Sequence, residues 1–125
     1  MSMFDHVGLR VRDLEKSGRL YRAMLEPLGF VVNAEDASAV GLGPKGETSL
    51  WLVRLADAPS ATAGAHIALR AGSRAAVDAF HRAALAAGAV DHGPPGVRAD
   101  YGPRYYAAFV IDPDGHNVEA VTFGE

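Results

Sequence analysis

Two histidines, His6 and His66, and one carboxylate, Glu119, are the residues of this sequence best suited to chemistry. His6 opens "HVGLR" and His66 opens "HIALR", nearly the same string sixty positions later. Glu119 lies in "NVEAV", flanked by Val118, Ala120 and Val121, where an unpaired charge is expensive to bury. Two imidazoles and a carboxylate form a facial triad that leaves coordination positions open on Fe(II), and carboxylate-rich sites also admit Mn(II). Zinc accepts the same donors with an open fourth position. Ligation would supply the charge that Glu119 needs. The competing reading is structural: a strand histidine is commonly just hydrogen-bonded, and Glu119 could pair with Arg10 or Arg70.

Other chemistries are excluded by composition. The 125 residues contain no cysteine, which removes disulfides, thiolate metal sites and cysteine nucleophiles. No Gly-x-Ser-x-Gly elbow is present. A net charge of −3, with lysines and arginines scattered, gives no electrostatic basis for nucleic acid or an anionic membrane as partner. Half the residues (49%) are apolar, so the chain can bury a core as one domain, residues 1–125. No apolar run approaches membrane-spanning length and no secretion leader is visible, so a soluble cytoplasmic protein is expected.

The elements that must position these residues come as one unit written twice, over about residues 1–55 and 64–125. At the same offset Asp13 matches Ser73, each placed to cap a helix, and Leu20, Arg22 and Leu25 match Phe80, Arg82 and Leu85. Each copy reads strand, helix, three strands. Strands are expected near 4–11, 30–33, 38–42 and 48–54, then 65–71, 90–92, 104–111 and 117–123; helices over 14–25 and 74–87. The small, polar Ala56–Gly64 stretch reads as a linker. The glycine- and proline-rich Asp91–Pro103 stretch reads as a long functional loop.

Strand alternation puts Val7, Leu9 and Val11 on the helix side and His6, Gly8 and Arg10 on the other. The same logic leaves His66, Ala68, Arg70 and Glu119 on the helix-free side. Counting from the two turns "GPKG" and "DPDG", Trp51 is the counterpart of Glu119. Tyr101, Tyr105 and Tyr106, with Arg104, could line an entrance, although Tyr105 and Tyr106 must point to opposite faces. His81, His92 and His116 read as structural or solvated.

The segments "FDHVGLRVRDLEKSGRLYRAMLEPLGF", "AHIALRAGSRAAVDAFHRAALAAGA" and "YYAAFVIDPDGHNVEAV" together resemble the vicinal oxygen chelate superfamily, the glyoxalase, bleomycin-resistance and extradiol dioxygenase group. The resemblance spans essentially the whole chain. It implies an α+β fold of two βαβββ modules, a cupped, mostly antiparallel eight-stranded sheet with helices outside, and assembly as a homodimer. It also implies a divalent metal (Fe, Mn, Zn or Ni) held at first-, fourth-, fifth- and eighth-strand positions, here His6, Trp51, His66 and Glu119. Three of these can ligate and Trp51 cannot. Glyoxalase I enzymes generally carry a carboxylate at the Trp51 position, and fosfomycin thiol transferases usually a threonine where this chain has Gly8.

Two functions follow as expectations. One is a metal-dependent lyase, isomerase or dioxygenase that binds a small vicinal-oxygen substrate. There Glu119 acts as both ligand and base, and Trp51, Arg104, Tyr105 and Tyr106 contact substrate. The other is a metal-free, bleomycin-resistance-type protein that sequesters a drug-like ligand.

Overall fold

The computed structural model describes residues 3–55 and 64–124. The expected linker therefore lies, apart from Gly64, outside the described residues. The first module contains β1 (Val7–Val11), α1 (Leu14–Leu25), a short 3-10 turn (Glu26–Leu28), β2 (Val31–Glu35), β3 (Ala39–Gly43) and β4 (Leu50–Arg54). The second contains β5 (His66–Arg70), α2 (Arg74–Ala86), β6 (Val90–Val97), β7 (Tyr106–Ile111) and β8 (Asn117–Thr122). The fold is α+β, with eight strands and two helices among the described residues.

Each module makes its own four-stranded sheet, in the orders β1-β4-β3-β2 and β5-β8-β7-β6. The first and last strands of each module pair in parallel and the remaining pairs are antiparallel. A parallel pair needs a crossover, and in each module the helix lies on it.

Local chemistry sets the helix ends. The Asp13 carboxylate accepts from the Lys16 N–H, and the Ser73 hydroxyl accepts from the Ala76 N–H. Such caps each contribute about 0.5–2 kcal/mol. Past the helices the chain reverses at Gly29 (φ 89) and Gly88 (φ 106), in the left-handed region where a Cβ is penalised.

One core joins the modules. Leu9, Val11, Leu42 and Leu52 from the first sheet pack with Val110, Val118 and Ala120 from the second, around Leu20, Met24 and Phe80 of the helices. Burying each of the large side chains contributes about 1.5–3 kcal/mol. Helix α1 buries Leu14, Ser17, Gly18, Leu20, Tyr21, Met24 and Leu25, wider than a single stripe, because it packs on its own sheet and on α2.

A buried polar clasp reinforces this junction. The Tyr21 hydroxyl donates to Asp112 Oδ2 at 2.6 Å, and Asp112 Oδ1 accepts from the Asp114 and His116 N–H groups. His116 Nδ1 accepts from the Ala65 N–H, so Nε2 carries the hydrogen that it donates to the Arg10 carbonyl at 2.9 Å. The carboxylate of Asp114 accepts from the Arg12 N–H. The turn before β8 therefore grips the end of β1 and the side of α1.

One segment differs from the sequence expectation. The residues 91–97 expected to begin a long loop form most of β6, paired with β7 through register shifts at Asp91/Gly93 and Gly93/Gly96. Bulges absorb the prolines and glycines that make the string read as loop.

Candidate active-site cavity

The two modules present equivalent rows on their helix-free faces. In the first, Gly8, Trp51, Gly41 and Ala34 lie in register. In the second, Ala68, Glu119, Phe109 and Gly93 do. The counted equivalence of Trp51 with Glu119 therefore matches the strand pairing. The Trp51 indole lies over Gly41, where a Cβ would come within 2.8 Å of Cζ3. Trp51 thus forms part of the first module's face, while His66 and Glu119 belong to the second.

Glu119 is 2% exposed and its two oxygens are both engaged. Oε1 lies 3.0 Å from His66 Nε2, and Oε2 accepts from the Tyr105 hydroxyl at 2.5 Å. The expected alternative partners, Arg10 and Arg70, are exposed and form no ion pair with it among the described residues. The Tyr105 hydroxyl is pushed up to about 12, first by burial and then by its hydrogen bond to Glu119 and the charge there. His66 is half exposed, so its pair with Glu119 joins a buried carboxylate to an accessible ring.

A cavity of about 490 Å³ opens at this pair, lined by His66, Asp100, Tyr101, Tyr105, Phe109 and Glu119. It borders a wider concavity that adds His92, Val97, Arg98 and Asn117. The Tyr105 ring packs 5.2 Å from both Tyr101 and Phe123, and the Phe109 ring stands 6.3 Å from His66.

The other sequence candidates fall elsewhere. Tyr106 points to the opposite face, as alternation requires, donating to Asp78 on α2 at 2.6 Å with Arg74 over its ring. It is not a cavity residue. Arg104 is exposed beside the start of β7. His6 is exposed and bonded to Asp5 at 2.7 Å, and among the described residues it forms no ligand cluster with His66 and Glu119. Among the described residues no three His, Asp or Glu groups converge as a metal site. His81 pairs with Asp91 at 2.8 Å, a tie between α2 and β6.

Sequence reasoning passed over Phe109, Asp100 and Arg98. Phe109 was within reach: pairing β7 with β8 across the Asp112–Gly115 turn sets it opposite Glu119. Arg98 carried no comparable signal, because its place depends on the bulges of β6.

These features define an α+β chain of two βαβββ modules, with a histidine–carboxylate pair in a cavity on a helix-free sheet face. The chain belongs to the Glyoxalase/Bleomycin resistance protein/Dioxygenase superfamily, whose family model matches residues 3–120. A glyoxalase/bleomycin resistance protein from Albidiferax ferrireducens T118 is 31% identical, over 96% of this chain and 98% of that one, with a TM-score of 0.83. A glyoxylase/bleomycin resistance protein/dioxygenase domain from Frankia sp. EAN1pec (22% identity, 100% and 99% coverage, TM-score 0.73) shares the fold. So does a glyoxalase-related enzyme from Fulvimarina pelagi (20% identity, 97% and 88% coverage, TM-score 0.72). No curated protein matches the chain.

Proposed function

We propose that this protein is a divalent-metal-dependent lyase, isomerase or dioxygenase acting on a small substrate with vicinal oxygens. Its metal donors would be His66 and Glu119 of one copy and His6 of a second. The observation that carries this reading is the His66–Glu119 pair, with donor atoms 3.0 Å apart on neighbouring strands and open to a cavity.

Within one chain the donor set fits a metal only in part, because catalytic sites typically use three protein ligands and two converge here. His6 is a donor of the right kind, immediately before the equivalent strand of the other module. A two-fold dimer in which the first module of one copy faces the second module of its partner would supply it twice. The same arrangement would set the partner copy's first-module face, Trp51 included, over the cavity as an aromatic wall.

A bound cation (Fe, Mn, Zn or Ni) would supply Lewis-acid stabilisation of an enolate or oxyanion. The chain's own residues orient and enclose the site. The Tyr105 hydroxyl fixes Glu119 Oε2 and leaves Oε1 toward His66. Phe109 and Tyr101 line the cavity and would form aromatic walls around a bound substrate. Glu119, a buried carboxylate, would receive the substrate proton.

The test is metal content of protein purified without a metal-affinity tag, beside His6→Ala, His66→Ala and Glu119→Ala. Near-stoichiometric metal, lost in all three variants, is expected; unchanged metal in all three sinks the proposal. A second reading draws on Trp51 at a position where the family places a ligand, and on the aromatic lining by Tyr101, Tyr105 and Phe109. It makes the protein a metal-free binder of planar cationic drugs, checked by quenching of Trp51 fluorescence at micromolar drug.

A further inference from the structure

We infer that Arg98, in the concavity that borders the cavity and shares His66 and Phe109 with it, is the anion-recognising group of this site. The molecule bound beside His66 and Glu119 then carries a carboxylate or similar anionic group on a flat body, separate from its reacting oxygens. The inference rests on the cavity being the substrate site, as proposed above, and adds the substrate's charge.

The seat of Arg98 is built into β6. Its Nη1 donates to the Gly96 carbonyl at 2.9 Å and its Nη2 to the Pro94 carbonyl at 2.6 Å. Its Cζ lies 5.3 Å from the centre of the Phe109 ring. A Cβ on Gly93 would come within 3.0 Å of Nη2, and one on Gly96 within 3.2 Å of Nη1. The strand is bare where the guanidinium lies, so two glycines, two carbonyls and an aromatic face hold one side chain in place. A solvated surface arginine needs none of this.

The charge held there is not used up within the protein. A guanidinium has five N–H donors, and the two bonds to carbonyls leave three. Among the described residues the arginine ion pairs are Arg22–Glu35 and Arg54–Glu15, and Arg98 forms none. Asp100 lines the same concavity but is exposed. Phe109 is the common neighbour of Arg98 and His66, so a planar group resting on that ring reaches both. A rigid guanidinium fork matches a carboxylate in two parallel bonds, which gives orientation as well as attraction.

The experiment is an NMR shift titration of the full chain with benzoate, benzamide and benzylamine, three probes of one size and different charge. Wild-type protein should bind benzoate about tenfold or more tightly than benzamide, the scale expected for hydrogen bonds to a charged group. Arg98→Gln should equalise the two, and Arg98→Lys should retain part of the preference. No saturable benzoate shift, no preference for benzoate, or an undiminished preference in folded Arg98→Gln would each overturn the inference. If Arg98→Gln does not fold, Gly96→Ala crowds Nη1 without removing the charge; a reduced preference supports the inference and an unchanged one overturns it. Metal content of the same batches separates the two proposals. Benzoate preference without metal leaves Arg98 standing and removes the metal reading, and metal without preference does the reverse.

Discussion

Glu119 is held from both sides by residues that differ in exposure: His66 Nε2 on Oε1 at 3.0 Å and the Tyr105 hydroxyl on Oε2 at 2.5 Å. His66 is half exposed while Glu119 is buried. The carboxylate is therefore oriented by the protein through both oxygens, one of them paired to a ring that lines the cavity.

This arrangement predicts how Tyr105 ionises. In metal-free protein the Tyr105 step in an ultraviolet titration, isolated by difference from Tyr105→Phe, should fall near 12. Because the folded chain favours the protonated hydroxyl, its contribution to stability is fully present below pH 10 and is lost as pH rises towards 12. Glu119→Gln should bring the step down toward 10 without reaching it, since burial is the largest cause. A step unmoved by Glu119→Gln contradicts the pairing.

The proposed site shared between two copies predicts complementation. Unfolding His6→Ala and His66→Ala together and refolding the mixture gives heterodimers with one intact site. Random pairing then restores about a quarter of the wild-type metal per chain, where each variant alone holds none. Failure to regain any metal, with dimers formed, counts against a shared site.

The clasp between modules predicts a stability effect remote from the cavity. Tyr21→Phe leaves Asp112 Oδ2 buried without its donor and should cost about 1–3 kcal/mol in urea unfolding. A change below the error of the measurement would mean that the turn is held by its backbone bonds alone.

Gly41→Ala should disturb the face that carries Trp51. The new methyl would meet Thr48 Cγ2 at 2.7 Å and the indole at 2.8 Å, so the ring must move. Overpacking of this kind costs about 1–3 kcal/mol. Trp51 is the only tryptophan, so a shifted emission maximum reads the displacement directly.

Much of this protein is legible in its sequence because the relevant forces are local or periodic. Asp13 and Ser73 cap the helices, and α1 falls on residues 14–25 as the spacing predicts. Alternation alone separates Leu9 and Val11 from His6, Gly8 and Arg10. Counting from the two turns makes Trp51 the counterpart of Glu119, and the registers agree: Gly8 pairs with Trp51 as Ala68 pairs with Glu119.

What the sequence left open depends on atoms far apart in the chain. Alternation required Tyr105 and Tyr106 to diverge, but only packing of β7 on α2 decided that Tyr106 turns to Asp78 and Tyr105 to Glu119. The string around Pro94 and Gly96 has loop composition, and its pairing with β7 is made by bulges that no period records. Arg98 lines the concavity beside the cavity because of those bulges. His6 and His66 share a motif, yet whether they share a site depends on how the modules meet, and within one chain they do not converge. Periodicity determines which face a residue occupies; only the tertiary structure determines what stands across from it.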